Sequence, residues 1–177
     1  MGGAPSHTFA WFSRTGAARC AALPYVVVVT CVFLVYANAL PAGFVIDDPI
    51  YLRIVSRART ASHVIPFFTT PVRLNPVLAP VETRVYRPAY LVYGALAYRL
   101  WGSRTWAWHA ANVFLHAAAS CLVLVTLRRI FGLPPCAALL AALLWAIHPV
   151  HVQAVTWVTA AAYIQMGLFL LIAVLVA

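Results

Sequence analysis

The sequence has no lysine and only three acidic residues, Asp47, Asp48 and Glu82, against twelve arginines in 177 residues. Charged residues make up 8% of the chain and hydrophobic ones 64%, with a mean hydropathy of +0.91. A soluble domain carries about a quarter of its residues as charges, so this balance excludes one and leaves an integral membrane protein. Cysteine is scarce as well. Cys20, Cys31, Cys121 and Cys136 lie in or beside apolar runs, with no CxxC pair and none in the long polar loop. That placement speaks against a disulfide framework or a zinc site and for small apolar packing residues. A formal charge of +9 would suggest nucleic acid in a soluble protein. Here the arginines flank apolar runs, so membrane lipids, or a phosphate-bearing lipid, are the expected partners and nucleic acid is not.

What the chain does have is apolar length. Residues 1–20 read as a short cytoplasmic tail with Arg14 and Arg19 as its charges. Ala21–Leu40 is uncharged and, at about 1.5 Å per residue, reaches ~30 Å, the thickness of the hydrocarbon core. Ala37-Asn38-Ala39 resembles a signal-peptide cleavage site. The apolar run is longer than a signal core, however, and an uncleaved helix is expected. Residues 41–85 form a polar loop, in which Pro66, Pro71, Pro76 and Pro80 exclude a long helix across Ile65–Val81. Ile50–Val64 fits one short amphipathic helix lying on the surface.

Tyr86–Trp101 is too short an apolar stretch to span and is interrupted by Arg99, so an interfacial or re-entrant helix is expected. Tyr86, Tyr90, Tyr93, Ala97 and Leu100 would share one side of it. Its tyrosines and tryptophans suit a membrane interface. Trp106–Leu127 is a span closed by Arg128 and Arg129, and Phe131–Pro135 a tight turn. Cys136–Ile147 returns across the membrane, drawing in flanking residues because it is short. His148–Thr159 is a brief connection and Ala160–Ala177 a fourth span. The predicted fold is all-α: a polytopic membrane helix bundle over residues 21–177, with about four spans and interfacial helices in an outer loop, 41–105. Ending within an apolar helix suggests part of a longer protein. Placing Arg14, Arg19, Arg128 and Arg129 in the cytoplasm puts the aspartates, Trp108, His109, His148 and His151 on the extracytoplasmic face.

The adjacent acids of Gly43–Pro49, GFVIDDP, stand out because acids are so few and these directly follow a span. They are either a solvated helix cap before Ile50 or the acidic part of an active site. His109, Asn112 and His116 fall at i, i+3 and i+7 on one helix stripe. Polar groups at membrane depth usually face a protein interior or a wet cavity. For Asn112 and His116, bonds to neighbouring helices are expected; His109, nearer the surface, is open to either role. His148 and His151 flank Pro149, which breaks the helix and lets both imidazoles serve one site. Metal binding, phosphate binding and proton handling all fit them. Arg87, ahead of Pro88, is either a headgroup anchor or a bidentate phosphate clamp.

GFVIDDP, YRPAY, LWGSRTWAWHAANVFLH and AIHPVHVQAVTWV occur in this order and at these spacings. Together they resemble the N-terminal membrane part of the TMTC-like proteins, which are similar to protein O-mannosyltransferases and have the GT-C glycosyltransferase fold. The resemblance covers about residues 25–177. It implies an enzyme that takes a sugar, mannose by expectation, from a dolichyl- or polyprenyl-phosphate donor and transfers it to a hydroxyl of an acceptor protein on the lumenal or periplasmic side. The membrane would be that of the endoplasmic reticulum or a bacterial inner membrane. It further implies that Asp47, with Asp48 beside it, supplies the catalytic base. Arg87, His109, His148 and His151 would then hold the donor phosphate; no resident metal is assigned, although a divalent ion fits the chemistry. The family pattern has Glu after HPVH and Arg shortly after Trp-Val, where this chain has Gln153 and Ala160-Ala161-Ala162. A non-catalytic membrane module that binds a lipid phosphate or a partner protein is the first alternative, and a proton-coupled transporter the second.

Overall fold

The computed structural model describes residues 8–73 and 84–177. Glu82, Pro76 and Pro80, and with them much of the expected break across Ile65–Val81, lie outside the described residues. Helix α1 runs from Thr8 to Tyr36 and so begins inside the stretch expected to be a tail. Its buried positions Val28, Val32 and Tyr36 recur every four residues and continue to Ala39 in the turn that follows, so one face of this stretch meets the bundle.

The loop after α1 is more structured than its prolines suggested. α2 spans Asp48–Arg57, α3 Ala61–Val64 and α4 Pro66–Thr69. Strands β1 (Val72–Arg73) and β2 (Arg84–Val85) form a two-residue antiparallel ladder, with Val72 opposite Val85. The single helix expected over Ile50–Val64 is therefore two. Just past the end of α2, Arg99, from forty residues away, donates Nη2 to the carbonyls of Ala58 at 3.3 Å and Arg59 at 2.5 Å. A cation just beyond the C-terminus of a helix suits the helix dipole.

α5 covers Pro88–Trp101, starting on a proline at N1 as such helices prefer. Its buried residues are Tyr90, Leu91, Gly94, Ala95 and Ala97. This corrects the expected stripe: Leu100 is 75% exposed, and Tyr86, 58% exposed, precedes the helix. The buried face is set by α2. Tyr51 of α2 stacks on Tyr90 at 4.5 Å and 10°, and its hydroxyl donates to the Tyr90 carbonyl at 3.1 Å. Gly94 makes this approach possible, since a Cβ there would stand 2.0 Å from the Tyr51 hydroxyl. Gly102, at φ +59°, ends α5, and Trp108 Nε1 donates to its carbonyl at 2.8 Å.

α6 (Thr105–Arg129) is the central element, packed against α1, α7 (Pro135–Ala146) and α9 (Ala161–Val176). On α7, Ala138, Ala142 and Ala146 are fully buried at i, i+4 and i+8. A stripe of small residues lets two helix backbones approach closely where lipid supplies no hydrophobic driving force. Among the described residues, three helical stretches are long and apolar enough to cross a membrane: Ala22–Ala39, Thr105–Arg129 and Val158–Val176. α7 alone is too short, as expected. With Pro149–Thr156, which includes α8 (Val152–Thr156), it forms a pair bent by 45° that passes as a fourth span. The protein is an all-α, multi-pass membrane bundle.

Candidate active site

The two adjacent aspartates are placed differently. Asp48 is wholly buried. Its Oδ2 accepts the backbone N–H of Val45 at 3.0 Å, and its own N–H donates to the Val45 carbonyl at 2.9 Å, closing a reciprocal turn. Oδ1 accepts the N–H of Thr159 at 2.9 Å, across 111 residues of sequence. One carboxylate thus fastens the first loop to the chain entering α9. Within the turn, Ile46 has φ +48°. A β-branched residue there is strained by about 1–3 kcal/mol and persists only where its surroundings impose it. Asp47 follows as the N-cap residue of α2 and is only half-buried.

Burial raises the Asp48 carboxyl above its ordinary value, against the opposing effect of the Val45 and Thr159 N–H groups and of the nearby His109. In the aromatic seam between α2 and α5, burial raises the Tyr51 and Tyr90 hydroxyls, and pushes Tyr93 up to about 12. His109 is 1% exposed, and neither ring nitrogen has a hydrogen-bond partner among the described residues.

Arg87 stands at the start of α5 with its guanidinium carbon 5.3 Å from the centre of the Tyr163 ring, a cation–π contact. It opens a cleft of about 360 Å³ between α5 and α9, lined also by Tyr90, Gln165, Met166 and Phe169. His148 accepts the N–H of Val150 at Nδ1, 3.2 Å, and caps the short turn Pro149–His151. His151 turns inward instead, 4.3 Å from the Trp145 ring and 5.1 Å from His116. His148 and His151 lie 6.5 Å apart between ring centres. The histidines therefore do not converge with Arg87 on one surface: the α5–α9 cleft is lined by neither of them, nor by His109. Tyr163 is the link. It lines both that cleft and a smaller hollow of about 130 Å³ with His116 and His151.

Asn112 donates Nδ2 to the Trp157 carbonyl at 3.1 Å, and His116 Nε2 bonds the Ala146 carbonyl at 2.8 Å. His116 thus bonds α6 to α7, and Asn112 bonds α6 to the bend that follows α8. Gln153 is exposed, and Ala160 and Ala161 are buried. Among the described residues no three His, Cys, Asp or Glu side chains group to hold a metal ion. Sequence reasoning missed Thr159, which contributes only a backbone N–H, and Tyr163, whose place depends on the packing of α5 against α9.

The chain is 33% identical to protein O-mannosyl-transferase tmtc2 of Xenopus laevis over 151 residues, covering 80% of this chain and 17% of that protein. It is 31% identical to protein O-mannosyl-transferase Tmtc1 of Drosophila melanogaster, over 85% of this chain and 16% of the relative. To TMTC3 of Mus musculus it is 29% identical, over 84% and 16% respectively. The chain thus spans about one sixth of the length of the curated relatives it matches. No family model and no solved structure matches it.

Proposed function

Since this chain belongs to the TMTC-like proteins, we propose that it forms the first outer-loop part of a GT-C glycosyltransferase site, in which mannose passes from a polyprenyl-phosphate to a hydroxyl of an acceptor protein. The acceptor oxygen attacks the anomeric carbon, and the bond from that carbon to the phosphate oxygen breaks. The hydroxyl proton passes to Asp47, and the polyprenyl phosphate leaves. A positioned carboxylate acting as base contributes about 10²–10⁴-fold to such a step.

One observation carries the assignment. Of the two acids among the described residues, Asp48 is wholly buried, whereas Asp47 is half-buried at the start of α2, where an acceptor hydroxyl can reach it. Asp48 is then the positioning residue and Asp47 the base. Arg87 is the donor-phosphate clamp the geometry favours, because the apolar cleft beside it suits a lipid chain and a guanidinium matches phosphate oxygens in pairs. His148 and His151, one exposed and one half-buried against Trp145, act on that phosphate only in support, and His109 acts through Asp48. The test is sugar transfer in membranes containing the protein, offered polyprenyl-phosphate mannose or a mannose nucleotide. Transfer from the lipid donor alone, weakened in Arg87→Gln, supports the reading, and transfer from the nucleotide contradicts it.

A second reading has its own observation. The family's Glu and Arg are replaced by the exposed Gln153 and by the alanines 160–162. A non-catalytic module binding a lipid phosphate through Arg87 would keep the cleft, bind polyprenyl phosphate and transfer nothing.

A further inference from the structure

A second groove, of about 610 Å³, runs between α5 and α6 and shares no lining residue with the α5–α9 cleft. Ala110, Ala111 and the exposed Phe114 form its α6 wall, Tyr93 and Trp101 its α5 wall, and Arg104 stands at the start of α6. The alanines leave the volume. Arg104 supplies a cation, and no acid is among the described residues that line the groove. A guanidinium without a carboxylate beside it, at one end of a trench of aliphatic and aromatic carbon, calls for a ligand with an anionic head and a long apolar body.

Position narrows the class. Arg104 immediately precedes α6, so a membrane that α6 crosses has Arg104 at headgroup level, and Ala110, Ala111 and Phe114 follow one to three helical turns along the span. We propose that this groove holds one anionic phospholipid, its phosphate at Arg104 and its acyl chain along Ala110, Ala111 and Phe114. Free phosphate leaves the trench empty, and a zwitterionic lipid brings its own ammonium against the guanidinium.

The test reconstitutes the 177-residue chain in phosphatidylcholine nanodiscs containing increasing phosphatidylglycerol, with dibrominated acyl chains on one lipid or the other, and reads quenching of tryptophan fluorescence. Brominated phosphatidylglycerol is expected to quench at a mole fraction about fivefold lower than brominated phosphatidylcholine, the factor for one arginine near an anionic surface. Arg104→Gln removes the difference while helicity by circular dichroism is unchanged, and Ala111→Phe, which fills the trench, lowers quenching by the anionic lipid. Equal quenching by both lipids in the unmodified chain means ordinary lipid contact and overturns the proposal without relying on any variant. A preference unchanged in both variants places the anionic lipid elsewhere and also overturns it. Loss of the preference on adding inorganic phosphate would show an anion site rather than a lipid site, and quenching by neither lipid would mean that protein covers the groove.

Discussion

Asp48 Oδ1 accepts the Thr159 N–H at 2.9 Å, and this bond joins the turn after the first span to the entrance of α9. Because the same carboxylate also accepts from Val45, it needs two acceptor oxygens. Asn offers one and turns an NH₂ toward the other donor. Asp48→Asn should therefore lower stability by about 1–3 kcal/mol, the cost of a buried group left unpaired. Thermal unfolding in detergent measures it.

The same residue gives stability a pH dependence. Its folded-state pKa is raised, so between the ordinary carboxylate range and that raised value the folded protein binds more protons than the unfolded chain. Stability contributed by Asp48 should then fall as pH rises through this window and flatten above it. Melting temperatures across mildly acidic pH should show that slope, and Asp48→Asn should lose it.

Gly94→Ala places a methyl group 2.0 Å from the Tyr51 hydroxyl and 2.8 Å from Val55 Cγ1. Alanine favours the helix by up to about 1 kcal/mol, but overpacking of this kind costs about 1–3 kcal/mol. The net effect should be destabilising and local. Near-ultraviolet circular dichroism should report loss of the Tyr51–Tyr90 stack while the spans remain helical.

Arg99→Met keeps the length of the side chain and removes the donor to Ala58 and Arg59. Hydrogen exchange should rise at the end of α2 and across residues 58–63, with the spans unaffected. Unchanged exchange would mean that α2 is stopped by its own sequence.

The spans could be read from sequence because apolar length alone decides them, and the weak return at Cys136–Ile147 was expected to recruit its neighbours for the same reason. The scarcity of acids drew attention to Asp47 and Asp48, but nothing local distinguishes them. Their difference arises from a backbone N–H 111 residues away, which no side-chain pattern records. The break between α2 and α3 was hidden likewise, because the Arg99 side chain that bonds its carbonyls comes from another helix. Helical spacing grouped Tyr90 and Ala97, which are buried, with Leu100, which is exposed, because the contact with Tyr51 through Gly94, not spacing, decides which part of α5 is covered.

Division of labour between the adjacent aspartates is best judged by mannose transfer from polyprenyl-phosphate mannose in matched membranes carrying the unmodified protein, Asp47→Asn or Asp48→Asn, with melting temperature read on each. Asp47→Asn should keep the melting temperature and lose about 10²-fold or more of the transfer. Asp48→Asn should lose both together. Full transfer by a folded Asp47→Asn protein would contradict the account.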